Sequence, residues 1–291
     1  MTTATTVLYC SDPLNERRAD AHFAAEARQL RAAGGSVALI DHDALLAGDA
    51  ERAVARVPAG AGALWYRGWM IPAERYADLD AALRGRGART AVSPEDYRLA
   101  HELPGWYETF AALTPASRWL PVAARERPDA DRLAALAAAL PAGPGIVKDY
   151  VKSRKHEWHE ACHLPDLADR PAVHRVVSRF VELQDEFLAG GIVLRAFECF
   201  TGPEARVWWR DAEPRLITPH PDAPDGAVTL PDSALAPVRA AVEALGCRFV
   251  TTDLALREDG VWRVVEVGDG QVSDLHRAVD PAALAGLLTA G

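Results

Sequence analysis

The chain has 291 residues, of which 49% are hydrophobic and 25% charged, a balance typical of a globular protein large enough for two or three lobes. Its net charge of -9, with no basic tail, disfavours nucleic acid as the main partner, and no apolar run is long enough to cross a membrane. No secretory signal pattern opens the chain, so we expect a cytoplasmic protein.

The first third of the chain alternates predicted strands with predicted helices. Hydrophobic periodicity places strands at residues 7–10, 37–40, 63–66 and 90–92, and helices at 18–33, 43–57 and 72–83. Strands that alternate with helices form parallel sheets through right-handed crossovers, so residues 1–95 are predicted to form an open α/β lobe. No G-x-G-x-x-G turn follows the first strand, so a dinucleotide site is not expected there.

The remainder of the chain is predicted to be α+β. Ser93-Pro94-Glu95-Asp96 has the capping pattern of a helix start and opens a helical connector over residues 96–127. Helices follow at 128–140, 171–188 and 232–245, with strands at 192–197, 205–209, 216–218, 249–256 and 261–267. The last two strands flank Asp259-Gly260, a pair typical of hairpin turns, which indicates antiparallel pairing.

The cysteines give no sign of a structural framework. The chain has four, at positions 10, 162, 199 and 247, and they lie far apart with no C-x-x-C pair. This spacing argues against both a disulfide scaffold and a cysteine zinc site. We therefore expect them to be small buried hydrophobic residues.

All three lysines of the chain, Lys148, Lys152 and Lys155, fall within eight residues, whereas the other 29 basic side chains are arginine. A lysine ammonium is a compact point charge, and the planar guanidinium does not replace it well between phosphate oxygens. The apolar run around Ile146 and Val147 predicts a strand, extending through Tyr150 and Val151, that presents Lys148 to a phosphate group. The alternative is an accidental cluster of charges on a solvated hairpin.

Two carboxylates lie on the last pair of predicted strands. Asp253 is on the first strand and Glu266 on the second, inside the apolar run Val264-Val265-Glu266-Val267. Paired strands bring such side chains together, and hard oxygen ligands of this kind suit Mg²⁺ held between a protein and substrate phosphates. The alternative is a hairpin with ordinary surface acids.

Three segments resemble the ATP-grasp superfamily, in particular a group of small bacterial members. They are Val147–Ser153, the pair Val193–Glu198 and Gly202–Val207, and Asp253 together with Val265–Ser273. The Trp65–Met70 segment of the first lobe is similar as well, although Arg67 and Trp69 are equally explained as packing groups or as substrate contacts. The resemblance implies an ATP-grasp fold with an N-terminal α/β lobe (1–95), the connector (96–127), and two α+β subdomains (128–197 and 198–291) that grip ATP.

The resemblance also implies roles for single residues. Lys148 would contact the α- and β-phosphates, with Lys152 and Lys155 on the loop above them. The backbone of Ala196, Phe197 and Glu198 would meet the adenine edge, Glu204 would hold the ribose hydroxyls, and Arg206 would face the γ-phosphate or an acyl phosphate. Asp253 and Glu266 would bind Mg²⁺. Gly268 stands where many relatives have an asparagine ligand, so Asp269 is expected to replace its oxygen, with Gln271 as the alternative.

The expected function is that of a Mg²⁺-dependent ligase, which uses ATP to activate a carboxylate as an acyl phosphate and joins it to an amine or a thiol. The substrates would be small molecules or peptides. Two alternatives remain. The first is a nucleotide-binding module that has lost catalysis. The second is a zinc hydrolase, because His159-Glu160-Ala161-Cys162-His163 matches H-E-x-x-H, a pattern that needs one long helix, whereas Leu164-Pro165 follows at once.

Overall fold

In the computed structural model, which describes residues 5–289, the N-terminal residues form a mainly parallel sheet. Its parallel strands are β1 (Thr6–Asp12), β3 (Ser36–Ile40), β4 (Gly62–Arg67) and β5 (Ala88–Thr90), and β2 (Asn15–Ala19) pairs antiparallel with the end of β1. The helices are α1 (Ala24–Ala32), α2 (His42–Leu46), α3 (Ala50–Ala53), α4 (Ala73–Gly85) and α5 (Pro94–His101). The apolar residues of β1 are fully buried, as expected for a parallel sheet covered by helices.

Two of the helices predicted in this region are wrong in extent. Residues 15–19 form the hairpin strand β2 instead of helix, and α1 begins only after a turn in which Asp20 accepts hydrogen bonds from the backbone of His22 and Phe23. The predicted helix at 43–57 is two short helices, because Gly48 adopts a left-handed φ of +87° and Asp49 starts α3 with its side chain as N-cap.

A second, antiparallel sheet has the strand order β6-β9-β7-β8. Its strands are β6 (Ser117–Pro121), β7 (Gly145–Lys148), β8 (His163–Leu164) and β9 (Gly191–Ala196), and the helices around it are α6 (Leu103–Phe110), α7 (Ala130–Ala138), α8 (Trp158–Ala161) and α9 (Arg170–Gln184). The predicted apolar face of α9 is confirmed, since Val173, Val176, Val177 and Phe180 are buried in the core under this sheet.

A third sheet, of order β11-β10-β12-β13, contains the predicted C-terminal hairpin. Its strands are β10 (Phe200–Arg210), β11 (Glu213–Pro219), β12 (Phe249–Arg257) and β13 (Trp262–Asp269), and α10 (Asp232–Leu245) and α11 (Pro281–Thr289) complete the chain. Gly260 has a φ of +84° in the turn between β12 and β13, which confirms the Asp-Gly prediction.

The four cysteines are all free thiols, and three of them, Cys10, Cys162 and Cys247, are buried as predicted. Cys199 is exposed, and the prediction is wrong there. It lies in the short connection between β9 and β10, where neither strand covers its side chain.

The chain divides into two compact units. The first contains residues up to His101, Pro203–Leu254 and residues from Glu266 onward, and the second contains Glu102–Gly202 and Ala255–Val265. Strands β10, β12 and β13 each contribute residues to both units. Among the described residues, no helix combines the length and the apolar character needed to cross a membrane.

Candidate functional site

Lys148 is the last residue of β7 in the second unit. It lies opposite Val193 of β9, is bridged to Ser153, and is buried. Its charge acts on the Cys162 thiol, but burial of that thiol has the larger effect and raises the pKa of Cys162 to about 11. The cysteine therefore stays a thiol at neutral pH, and Lys148 is a buried cation at the end of a strand.

The strand ends at Lys148, earlier than predicted, because the buried carboxylate of Asp149 turns the chain. Asp149 accepts hydrogen bonds from the backbone N–H of Val151 and Lys152 at 2.7 and 2.5 Å, and from Gln184 Nε2 and Ala189 N–H at 2.7 and 3.3 Å. One carboxylate thus holds the loop and joins it to the end of α9.

The loop that follows carries the other two lysines. Lys152 and Lys155 are exposed, whereas Arg154 between them is half-buried. Arg154 makes a bidentate ion pair with Glu157 at 2.8 and 3.2 Å and donates to the carbonyl of Leu183 and to Gln184 Oε1. The loop is therefore anchored at Arg154, and the two lysines stand on its exposed part.

An aromatic cleft of about 100 Å³ lies beside the predicted adenine segment, also within the second unit. It is lined by Pro115, Ile146, Trp158, Arg195, Ala196, Phe197, Glu198, Phe200 and Val265. The rings of Trp158 and Phe197 are 5.8 Å apart at 62°, and His163 stacks on Trp158 at 5.0 Å and 15°. Flat aromatic walls of this kind suit a planar ring system.

The backbone of the predicted adenine segment is partly engaged within the protein. Ala196 N–H donates to the carbonyl of Ala116 at 2.8 Å, and Phe197 N–H donates to the carbonyl of Pro144 at 2.9 Å. The Glu198 carboxylate pairs with Arg263 at 2.9 Å and with Arg257 at 3.3 Å. The Glu198 side chain is thus committed to these arginines, and the donors of Ala196 and Phe197 are used.

The H-E-x-x-H segment does not form the long helix that its zinc pattern needs. His159 lies on the four-residue helix α8, whereas His163 lies on strand β8 with its ring against Trp158 and Phe197. Neither histidine belongs to a converging group of three metal-ligating side chains within the described part of the chain. The two imidazoles therefore do not share a helix face.

The first unit gathers charged side chains on β10, β11 and β12. Arg206 of β10 is buried and makes a bidentate ion pair with Asp253 of β12, with both N–O distances 2.8 Å, and its third nitrogen donates to the carbonyl of Asp274 at 3.0 Å. Burial opposes the charge of Arg206, but the neighbouring Asp253 carboxylate, and then Glu266 and Glu204, raise its pKa above the ordinary value. Glu266 therefore acts electrostatically on Arg206.

Three side chains of this group converge. Glu204, His220 and Asp253 offer one ligand atom each within 4.8 Å of one another, and no other such group of three occurs among residues 5–289. His220 follows β11 directly opposite Glu204, since its N–H donates to the Glu204 carbonyl at 2.9 Å, and its Nε2 lies 3.7 Å from Asp253 Oδ2. The predicted ribose contact Glu204 and the predicted metal ligand Asp253 are thus neighbours.

Asp269 and Gln271, the two expected substitutes for the asparagine, form a buried pair of their own. Asp269 Oδ1 accepts from the backbone N–H and from Nε2 of Gln271 at 2.8 and 3.1 Å, while Gln271 also contacts Tyr66 N–H and Tyr76 Oη. Burial raises the pKa of Asp269 to about 7, partly offset by the Gln271 hydrogen bonds. Neither residue belongs to the converging group, whereas Asp253 does.

Sequence reasoning missed three residues of these sites. His220 sits two positions beyond a predicted strand, and only its pairing with Glu204 brings it to Asp253. Trp158 and His163 stand out in the sequence only as a neighbour of the lysines and as part of the H-E-x-x-H pattern. The signal that could have found them is the concentration of aromatic residues on both sides of the lysine loop.

The architecture is that of the ATP-grasp fold, as solved structures of similar shape show. A RimK-domain ATP-grasp protein from Sphaerobacter thermophilus is 17% identical over 99% of this chain and 100% of its own, with a TM-score of 0.62. The ATP-grasp ligase PsnB, solved with a minimal precursor, Mg and ADP, is 16% identical over 97% and 96%, with a TM-score of 0.58. D-alanine–D-alanine ligase from Bacillus anthracis, solved with ATP, is 14% identical over 99% and 95%, with a TM-score of 0.57.

The chain belongs to an ATP-grasp domain family, the third family of its clade, whose family model matches residues 135–288, just over half of the sequence. No curated protein sequence matches this chain significantly. The resemblance to the ATP-grasp superfamily and the predicted α/β and α+β fold class are both confirmed. At these low identities, the structural likeness establishes the fold and leaves the substrates open.

Proposed function

We propose that the protein is a Mg²⁺-dependent ATP-grasp ligase that activates a carboxylate as an acyl phosphate and joins it to an amine or thiol. The observation that carries this proposal is the buried Arg206 beside the converging carboxylates Glu204 and Asp253, in a chain of this family. Cations and metal ligands held together suit phosphoryl transfer, in which charge develops on the transferred group and must be neutralised.

The second unit supplies the nucleotide contacts in this proposal. The aromatic cleft at Trp158 and Phe197 would take the adenine, and buried Lys148 would contact the α- and β-phosphates. Because the N–H groups of Ala196 and Phe197 already donate within the protein, adenine would meet the remaining backbone groups of the segment up to Glu198. Lys152 and Lys155 would reach the phosphates from the exposed loop.

The first unit supplies the metal ligands and the reacting-end cation. The donor set fits Mg²⁺, since Asp253, Glu204 and Glu266 offer carboxylate oxygens, the ligands this ion prefers. Asp253 and Glu266 would hold the ion, and the ion would neutralise phosphate charge when bound. Arg206 would exchange Asp253 for the γ-phosphate or acyl phosphate. PsnB was solved with Mg and ADP, which supports the same cofactors here.

The inert-module alternative keeps one specific observation in its favour. Gly268 stands in place of the asparagine ligand, and the candidate replacements Asp269 and Gln271 bond to each other away from the converging group. Such a protein would bind ATP without turning it over.

The test is a screen of carboxylates, each with hydroxylamine as a general nucleophile and then with a panel of amines and thiols, read as Mg²⁺-dependent ADP release. Hydroxylamine converts an acyl phosphate to a hydroxamate, so it reports activation without the natural nucleophile. We expect at least one carboxylate to stimulate both ADP and hydroxamate. ATP binding with no stimulation by any member of the panel would favour the inert module, and bound zinc with peptide hydrolysis would favour the hydrolase.

A further inference from the structure

We infer that Glu204, His220 and Asp253 form a binding site for a divalent ion of the first transition row, with Zn²⁺ bound more tightly than Mg²⁺, in the absence of nucleotide. The inference goes beyond the proposed ligase function, because it concerns an ion held by the protein alone. It shares Asp253 and Glu204 with that function and adds His220, a residue to which the ligase reaction assigns no role.

The distances between the three side chains fit a single ion. One ligand atom from each lies within 4.8 Å of the other two, and His220 Nε2 is 3.7 Å from Asp253 Oδ2. Nitrogen and oxygen ligands lie about 2.0–2.2 Å from Zn²⁺, so two ligands of one ion are separated by roughly 3–4 Å. Only small side-chain movements are therefore needed to close the site.

The backbone already holds the ligands in place. Glu204 and His220 face each other across β10 and the end of β11, where the His220 N–H donates to the Glu204 carbonyl at 2.9 Å. Asp253 is buried within β12 and is oriented by Arg206. Because three neighbouring strands position the three ligands, little conformational entropy is lost when an ion binds.

The far side of the His220 ring offers a partner for a metal-bound imidazole. A ligand Nε2 requires the ring proton on Nδ1, and the Asp222 carboxylate lies 4.0 Å from Nδ1. Ligand histidines commonly donate this proton to a carboxylate, which orients the ring and strengthens the ligand. Without an ion, Nδ1 instead accepts the Asp222 backbone N–H at 3.2 Å, so metal binding changes the tautomer.

The ligand types select the class of ion. An imidazole with two carboxylates favours Zn²⁺ and its neighbours over Mg²⁺, which prefers oxygen ligands alone. Asp253 Oδ2 accepts from Arg206 Nη2, and a carboxylate oxygen has a further lone pair for the ion. The nearby guanidinium charge lowers the affinity, so we expect dissociation constants in the micromolar range and not below.

The test compares Zn²⁺ and Mg²⁺ binding by titration calorimetry, with nucleotide absent, in wild type, His220→Asn and Glu204→Gln. Asparagine keeps an acceptor near the Nδ1 position for the Asp222 N–H but removes Nε2. His174→Asn is the matched control, because His174 is exposed on α9 and outside the converging group. Co²⁺ visible absorption, which responds to a nitrogen ligand, gives a second readout.

We expect one Zn²⁺ per wild-type chain, binding weakened about 100-fold in His220→Asn, and no change in His174→Asn. Mg²⁺ alone should bind at least about tenfold more weakly than Zn²⁺. Wild type that binds neither Zn²⁺ nor Co²⁺ saturably, or His220→Asn that binds Zn²⁺ as wild type does, would overturn the inference. Thermal stabilisation by Mg·ATP in His220→Asn separates this result from the nucleotide-binding proposal, which does not require His220.

Discussion

Lys148 is a buried cation at the end of a strand, and its chemistry sets the first prediction. Lys148→Arg keeps the charge, but the larger planar guanidinium cannot occupy the same space between phosphate oxygens. We expect ADP release to fall by about 10² to 10³, the usual loss for one positioned electrostatic donor. The measurement is ADP release at saturating Mg·ATP, with a thermal melt to confirm folding.

The matched control for this prediction is Lys155→Arg, on the exposed part of the loop. An exposed side chain can absorb the extra length, so its effect should be smaller than about tenfold. Equal activity of Lys148→Arg and wild type would show that the lysines cluster by accident of composition.

Asp269 should give the protein a pH-dependent stability. Its carboxyl group is fully buried, its Oδ2 has no hydrogen-bond partner, and burial raises its pKa from 3.8 to about 7. Between these values the folded state holds a proton that the unfolded state has lost. The free energy of unfolding therefore falls as pH rises from about 4 to 7, by an amount on the order of a few kcal/mol.

Asp269→Asn cannot ionise and should lose this part of the pH dependence. Urea unfolding at pH 5 and pH 8, with a chelator present, measures the difference between the variant and wild type. The variant should lose less stability than wild type between the two pH values. Identical losses in both proteins would mean that Asp269 ionises at an ordinary pH in the fold.

At the level of elements, the turn after β7 depends on one carboxylate. Asp149 accepts four hydrogen bonds from the loop, from α9 and from the residues before β9, and it is buried. Asp149→Ala leaves these donors without an acceptor, so we expect a loss of about 2–4 kcal/mol in the free energy of unfolding. Urea denaturation measures it.

Asp166→Ala is the control for the turn, because Asp166 accepts the Ala168 N–H in an exposed turn of the same unit. Water replaces the lost acceptor there, so the cost should stay below about 1 kcal/mol. Similar costs for the two variants would show that the Asp149 hydrogen bonds do not hold the loop.

The sequence predicts elements well where periodicity is strong and poorly where side chains redirect the chain. The apolar face of α9 and the Asp259-Gly260 hairpin follow from local patterns. Residues 15–19 carry a helix-compatible pattern but pair with β1, because an edge strand is available to them. The early end of β7 depends on hydrogen bonds from Gln184 and Ala189, more than 30 residues away, which no local pattern contains.

The same limit applies to the candidate site. Asp253 and Arg206 carry chemistry recognisable from residue type and order along the chain, and the structure brings them together. His220 joins them only through the register of β10 and β11, which the sequence does not specify. The expectation for Asp269 rests on its distance from Glu266 along the chain, whereas its burial beside Gln271 is a tertiary property.

On the scale of the whole molecule, a buried ion pair ties distant segments of the first unit together. Arg67, at the end of β4, pairs with Glu26 of α1 at 2.7 and 2.8 Å and donates to the carbonyls of Gln271 and Ser273. Arg67→Met would leave a buried carboxylate without its partner, at a cost of about 3–5 kcal/mol. Arg67 is thus a packing and connecting residue in the fold.

The double variant Arg67→Met with Glu26→Leu removes both charges and should recover part of this loss. Arg98→Met, which breaks the exposed pair with Glu74, is the control and should cost less than about 1 kcal/mol. Urea denaturation of these variants beside wild type measures the effects. A double variant less stable than Arg67→Met alone would contradict the buried-charge explanation.

The most direct test of the nucleotide site is the thermal stability of the whole protein with Mg·ATP. Anything that binds the folded state raises the melting temperature by mass action, so millimolar Mg·ATP should stabilise wild type, and ATP with a chelator should do so less. Asp253→Asn and Glu266→Gln keep shape but remove charge, and should lose the Mg²⁺-dependent part of the shift while remaining folded. Wild type that melts at the same temperature with and without Mg·ATP would contradict the proposed function.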